Sequence, residues 1–175
     1  LFSMPALHTT LPNYDLPFEI VCDSSEFATG ALLLQITAKG DIKIISYVSH
    51  IHDERTARLS SFERESYAMI YSLATFYDLV AGHPTCIHSD SRASVLISML
   101  SKSNSKICRW SAMLHGLPWV RVSWCSSKSQ IMKLADWLSR RPAGSKEWKN
   151  RQPTSEDLET ISLAASKLKR DINMS

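Results

Sequence analysis

The chain has no Cys-x-x-Cys pair: Cys22, Cys86, Cys108 and Cys125 stand far apart, which argues against both a zinc knuckle and a disulfide scaffold. Small, buried, reduced thiols are the reading that remains. No apolar run approaches the ~20 residues needed to span a bilayer, so no membrane segment is expected. There is no internal repeat, no low-complexity tract and no charged-then-apolar leader, and position 1 is Leu. The chain therefore reads as a piece of something longer. What is present is 175 residues, 44% apolar and 21% charged, the make-up of one globular domain with some trailing sequence.

A net charge of +3 conceals a sorting of charges along the chain. Residues 1–90 carry five Lys/Arg against eleven Asp/Glu, and residues 91–175 carry fifteen against six. An acidic site joined to a basic, polyanion-facing half would produce this asymmetry, as would solvated helix faces with a basic tail.

Hydrophobic periodicity supplies the order of elements. Residues 18–23, 28–36 and 42–48 are short apolar runs of strand formers, the last two separated by the turn signal Ala38-Lys39-Gly40-Asp41, and they predict an antiparallel meander. From Ser60 to Gly82 the period becomes helical, with Phe62, Ser66, Met69, Ile70, Leu73, Phe76, Tyr77 and Val80 in one stripe. A fourth strand at 85–89 runs into a helical stretch near 92–100, then a polar loop, a short helix through Cys108, Trp110, Met113 and Leu114, and a fifth strand at 119–125. A last helix is expected from near Leu134 to just before Pro142, and an appended amphipathic helix over 154–170. Strand, helix, strand implies a parallel crossover. The predicted fold class is α/β, with a five-stranded mixed sheet flanked by helices.

On this frame four acids stand out. Asp23 ends an apolar central strand, Asp90 lies at the carboxyl end of the fourth strand, Glu65 is near the start of the long helix, and Asp136 opens the last one. Open α/β sheets bind ligands at the carboxyl ends of their strands. Converging carboxylates repel unless hard cations neutralise them, and oxygen-only donors suit Mg²⁺ or Mn²⁺. Two such ions can together activate a water and stabilise a leaving oxygen in phosphoryl displacement. Each acid also has a local alternative: Asp90 and Asp136 as helix N-caps, Asp23 as the start of a turn. Glu63 and Glu65 flank the apolar stripe equally while Arg64 points away from it, so periodicity does not choose between the two glutamates.

Four fragments in order, Cys22-Asp23-Ser24-Ser25, Glu63-Arg64-Glu65-Ser66-Tyr67-Ala68-Met69-Ile70, Ser89-Asp90-Ser91 and Leu134-Ala135-Asp136-Trp137-Leu138-Ser139-Arg140-Arg141-Pro142, resemble the ribonuclease H domain that follows reverse transcriptase in gypsy-type long-terminal-repeat retroelements. The resemblance runs from about Leu7 to Pro142. It implies a ribonuclease H-like fold over 18–142, a lead-in from the polymerase over 1–17, and a linker with an appended helix over 143–175. It assigns Glu65, rather than Glu63, as the metal ligand. It also implies an endonuclease that cuts the RNA strand of RNA–DNA hybrids, with Asp23, Glu65, Asp90 and Asp136 holding two Mg²⁺, for which Mn²⁺ can substitute. The implied setting is a polyprotein in cytoplasmic virus-like or ribonucleoprotein particles, with the polymerase as neighbour and an integrase downstream.

The chain departs from the family pattern in two places. Ser66-Tyr67 replaces the usual Leu-Leu, and the loop Ser126-Ser127-Lys128-Ser129-Gln130 has neither the usual Gly-Lys pair nor a product-releasing His. Trp124 and Lys128 are the nearest substitutes. Arg92, Lys102, Lys106, Arg109 and Lys128 are the expected contacts to the hybrid's phosphates. Trp110, Trp119 and Trp124 are expected in the core, and His50 and His52 as loop histidines without the partners a zinc site needs. A non-catalytic nucleic-acid-binding or scaffold module of the same fold is the alternative function. An integrase-like core is the third reading, weakened because position 125 is Cys and no acid occurs between Asp90 and Asp136.

Overall fold

The structure, a computed structural model, describes residues 9–91 and 105–140. Strands β1 (Phe18–Ser24), β2 (Ala28–Ile36), β3 (Ile42–Ile51), β4 (Thr85–Ser89) and β5 (Val120–Trp124) form one sheet in the order β3-β2-β1-β4-β5. The β1–β2 and β2–β3 pairs are antiparallel and the β1–β4 and β4–β5 pairs parallel, which is the mixed sheet expected from sequence. The helices are α1 (Glu54–Ala57), α2 (Ser61–Val80), α3 (Ser105–His115) and α4 (Gln130–Arg140). The helix expected near 92–100, with Arg92 and Lys102, and the segment 143–175 lie outside the described residues.

Central position explains why β2 reads as an unbroken apolar run. It is paired on both edges and covered on both faces, and all but its last residue are buried. One face meets α2 through Phe18, Ile20, Leu33, Met69, Phe76 and Ile87; the other meets α4 through Val21, Leu32, Leu34, Met132 and Leu138. Burying each of these side chains contributes about 1.5–3 kcal/mol. A bulge keeps β3 compatible with both faces. Leu33 pairs with Ser46 but Leu34 with Ile44, and the slip sends Ile45 and Val48 to the α2 side and Ile42, Ile44 and Tyr47 to the α4 side.

Helix α2 starts at a capping box in which Ser60 Oγ accepts from the Glu63 N–H and Glu63 reaches back to the Ser60 N–H. Its buried face includes Ala68 and Ser72, whereas Tyr77, expected in the stripe, is 45% exposed and lies against Trp119. Ser66 is fully buried with its hydroxyl donating to Phe62 O at 2.9 Å, so the unusual Ser66-Tyr67 pair is absorbed by the helix.

Three expectations are corrected. Helix α4 begins at Gln130 rather than near Leu134, because Ser129 Oγ accepts the Met132 N–H at 3.3 Å and starts the helix one turn earlier. Asp136 therefore sits in the middle of α4 and is not an N-cap. Strand β3 continues to Ile51, which puts His50 in the strand, stacked on Tyr71 with ring centroids 4.4 Å apart; His52 is in the following loop, bonded to Thr29 Oγ1 at 3.0 Å. Trp110 and Trp119 do pack on the core. Trp124, at the last position of β5, is 54% exposed instead.

Candidate metal centre

The parallel pairing of β1 and β4 creates the site. Val21 is in register with His88, and continuing two residues sets Asp23 beside Asp90 where both strands reach the same sheet edge. Glu65, in the second turn of α2, adds its carboxylate from the helix side. Asp23, Glu65 and Asp90 each place a carboxylate oxygen within 4.8 Å of the other two. They open on a cavity of about 450 Å³ that Asp136, Arg64, Lys133 and Arg140 also line.

Each acid is held differently. Asp23 Oδ2 accepts from Ser139 Oγ at 2.5 Å, and Ser139 also accepts from Ser25 Oγ through its backbone oxygen at 2.6 Å. This clasp needs α4 to lie almost on β2. Gly30, opposite Asp23 in the ladder, permits it: a Cβ there would stand 2.4 Å from Ala135 O and 2.5 Å from Ser139 N. Asp90 follows β4 directly, and the exposed Trp124 indole donates to its backbone oxygen at 3.1 Å. Asp136 lines the cavity with its Oδ1 accepting from Arg140 Nε at 2.5 Å; it is not in the three-acid cluster, though its charge reaches Asp23 and Asp90. Glu63, the competitor of Glu65, is spent in the capping box.

The electrostatics are those of crowded like charges. Burial, reinforced by Asp23 and Asp90, pushes Glu65 up to about 8, against the pull of Arg64 and the Ser24 backbone. Burial also raises Asp23, aided by Asp136 and Asp90 and opposed by the Ser139 hydrogen bond, and raises Asp90, aided by Asp136. Glu65 Oε2 is buried with no hydrogen-bond partner among the described residues. A buried carboxylate that has one oxygen without a partner and sits in a cluster with two other acids is costly unless a cation takes it up. The donor set is all oxygen and fits Mg²⁺ or Mn²⁺.

The basic residues are distributed otherwise than expected. Arg64, read as facing away from the apolar stripe, lines the acid cavity and donates to Leu59 O at 2.6 Å. Lys133 and Arg140 line it too; they lie three before and four after Asp136, on one helix face, a spacing the sequence reading left unused. Of the expected hybrid contacts, Lys106 and Arg109 are on α3 and do not line the cavity, Lys106 lying 3.9 Å from Glu63. Lys128 is exposed in the turn before α4.

A five-stranded mixed sheet with three carboxylates at its β1/β4 edge defines an α/β domain of ribonuclease H-like architecture. A family model described as an RNase H-like domain found in reverse transcriptase matches residues 13–117, and the chain belongs to that family. The match takes in Asp23, Glu65 and Asp90 and ends before Asp136. The chain is 26% identical over 130 residues to the retrovirus-related Pol polyprotein from transposon 297 of Drosophila melanogaster, covering 74% of this chain and 12% of that protein. It is 27% identical over 132 residues to that from transposon opus of the same fly, covering 75% and 13%. It thus spans about an eighth of these relatives. Among solved structures, prototype foamy virus protease-reverse transcriptase shares the fold with a TM-score of 0.58 at 15% identity, over 70% of this chain and 17% of that one. The foamy viral protease-reverse transcriptase in complex with RNA/DNA hybrid gives 0.50 at 16% identity, over 81% and 18%.

Proposed function

We propose that this domain hydrolyses the RNA strand of RNA–DNA hybrids with two divalent cations, as one part of a reverse-transcriptase polyprotein. The observation that carries the reading is the trio Asp23, Glu65 and Asp90, each with a carboxylate oxygen within 4.8 Å of the other two, together with the buried, unpartnered Oε2 of Glu65. Asp23, Glu65 and Asp90 would hold the cations, with Asp136 at the rim of the cavity as the fourth candidate ligand. Cations held there supply Lewis-acid stabilisation to a phosphoryl transfer. The chain's own groups do the rest. Ser139 fixes the Asp23 carboxylate, the Trp124 indole fixes the Asp90 backbone, and Arg64 and Lys133 offer positive charge to the phosphates of an entering strand. Lys106, Arg109, Lys128 and, outside the described residues, Arg92 and Lys102 extend the grip along the duplex, and the polymerase part of the polyprotein supplies more of it. An integrase lies downstream in the same reading.

The test is a labelled RNA–DNA hybrid incubated with the domain and Mg²⁺ or Mn²⁺, alone and joined to its polymerase. Cleavage of the RNA strand that disappears in Asp23→Asn is the expected result. Absence of cleavage by either form, or cleavage undiminished by the substitution, refutes it. A second reading, a module that binds hybrid without cutting it, is favoured by the Asp136–Arg140 pair, which withholds the fourth acid. Hybrid binding by the intact domain with no cutting in either form supports that reading.

A further inference from the structure

The strands that carry Asp23 and Asp90 bear a second cluster nearer their amino ends. Glu19 of β1 is in register with Cys86 of β4, and His88, two residues on, projects to the same face. Glu19, Cys86 and His88 each offer one ligand atom, the three mutually within 4.8 Å. His88 Nε2 is 2.5 Å from Glu19 Oε2. The side chains of His88 and Glu19 keep 25% and 18% of their surface, so the cluster is sheltered but open to an entering ion. Cys86 is a free thiol.

We propose that Glu19, Cys86 and His88 form a site for one borderline-soft divalent cation of the zinc class, bridging β1 and β4. The donor set decides the class: thiolate with imidazole selects zinc or cobalt over magnesium, whereas the all-oxygen trio at the strand ends has the opposite preference. Three protein ligands leave a fourth tetrahedral position to water or an outside ligand. Binding is an exchange of cation for protons, with no redox change. The Cys86 S–H bond breaks, its sulfur stays as thiolate on the metal, and the proton shared by Glu19 and His88 passes to solvent. The His88–Glu19 contact has to open from 2.5 Å to about 3.4 Å, the edge of a tetrahedron with bonds near 2.1 Å. That is within the swing of a carboxylate. The site is separate from the acidic cavity: Glu19 lies four residues before Asp23, about 13 Å along the strand.

The test uses the full chain, freed of metal under reducing conditions and titrated with Co²⁺. The expected result is a sulfur-to-cobalt charge-transfer band with intense four-coordinate visible bands, complete at one equivalent, displaced by Zn²⁺ and unaffected by excess Mg²⁺. Cys86→Ser abolishes the charge-transfer band, and His88→Gln weakens cobalt affinity at least about tenfold. Asp23→Asn and Cys125→Ser leave the band in place, which separates the site from the acidic cavity and the other thiols. The wild-type titration needs no variant to fold. No sulfur band with excess Co²⁺, a band displaced by Mg²⁺, or one that survives Cys86→Ser overturns the proposal.

Discussion

Strands β1 and β4 run side by side and hold two clusters of polar side chains that solve opposite electrostatic problems. At the carboxyl ends, Asp23 and Asp90 meet Glu65 in a cluster of like charge that Ser139, Arg64 and Arg140 relieve only in part, and Glu65 is pushed up to about 8, chiefly by burial. Nearer the amino ends, Glu19 meets His88 as a charge-assisted pair. Burial works against the imidazolium there, but hydrogen bonds with Cys86 and Glu19 outweigh it and push His88 up to about 10. One pair of strands thus carries a frustrated cluster where the backbone ladder ends and a satisfied one where it continues. On the proposed reading, a site that takes up cations and releases product is frustrated without them, and the strand ends are where the ladder tolerates that.

The largest effect expected from breaking this contrast comes from Glu65→Gln. In the metal-free protein Glu65 binds its proton more tightly folded than unfolded, so its stabilisation is complete below the unfolded value of 4.5 and is lost as pH rises through about 8. At about 1.4 kcal/mol for each tenfold change in proton affinity, ionising it costs up to about 4–5 kcal/mol. Glu65→Gln should abolish cleavage and yet raise the metal-free protein's stability at pH 8 by several kcal/mol, read from urea unfolding with a chelator present. A variant less stable than wild type at pH 8 would mean that the cluster is not strained.

Glu19→Gln should do the reverse. His88 also gains proton affinity on folding, so its contribution is complete below its unfolded value of 6.5 and fades as pH rises through about 10. Removing the carboxylate should lower stability at pH 7 by about 1.5–3 kcal/mol, the worth of a hydrogen bond between charged partners, with the difference from wild type narrowing at alkaline pH. A constant difference from pH 6 to 10 would mean that packing, not charge, is what Glu19 contributes.

Gly30→Ala attacks the frame of the acidic end alone. Its methyl group collides with the α4 backbone at Ala135 and Ser139, so it should cost about 1–3 kcal/mol by overpacking. By loosening the Ser139–Asp23 hydrogen bond it should also raise the Mg²⁺ concentration needed for cleavage about tenfold or more. Unaltered metal dependence in a destabilised variant would uncouple α4 from the site.

How much of this was readable beforehand follows the range of each interaction. The five strands and the order of elements along the chain were legible because periods of two and 3.6 and local turn signals encode them; which strands lie side by side was not read beyond the antiparallel meander and a parallel crossover. The acidity of the strand ends was legible too, because a charged residue closing an apolar run is a local anomaly. The Glu63–Glu65 ambiguity was not resolved by periodicity, since both flank the stripe; family resemblance chose Glu65, and the capping box supplies the physical reason, for Glu63 is used at the helix start. The start of α4 was missed because Ser129 caps it from within a run of serines, where one serine reads like the next. Trp124 was misplaced because an aromatic ending an apolar strand looks like core until the sheet edge is known. The Glu19–Cys86–His88 cluster could not be read at all, since it depends on the β1–β4 register across more than sixty residues of chain.

The smallest expected effect, and the one that sharpens the contrast most, concerns Arg140. Its pair with Asp136 leaves the two side chains 65% and 46% exposed, so its worth to stability is at most about 1 kcal/mol. Its charge matters more locally, because Arg140 lowers the proton affinity of both Asp23 and Asp90. Arg140→Ala removes a positive charge from beside the cation site and frees Asp136 to face the other acids. Both changes favour divalent cations over protons only after metal arrives; before it, they deepen the repulsion. The expected outcome is a severalfold fall in the Mg²⁺ needed for half-maximal cleavage, an acid limb of the pH–rate profile moved to higher pH at low Mg²⁺, and little change in urea midpoint. If the KM for hybrid rises instead while the metal dependence stays put, Arg140 belongs to the phosphate grip, and Asp136 is held in place by it rather than withheld from the metals.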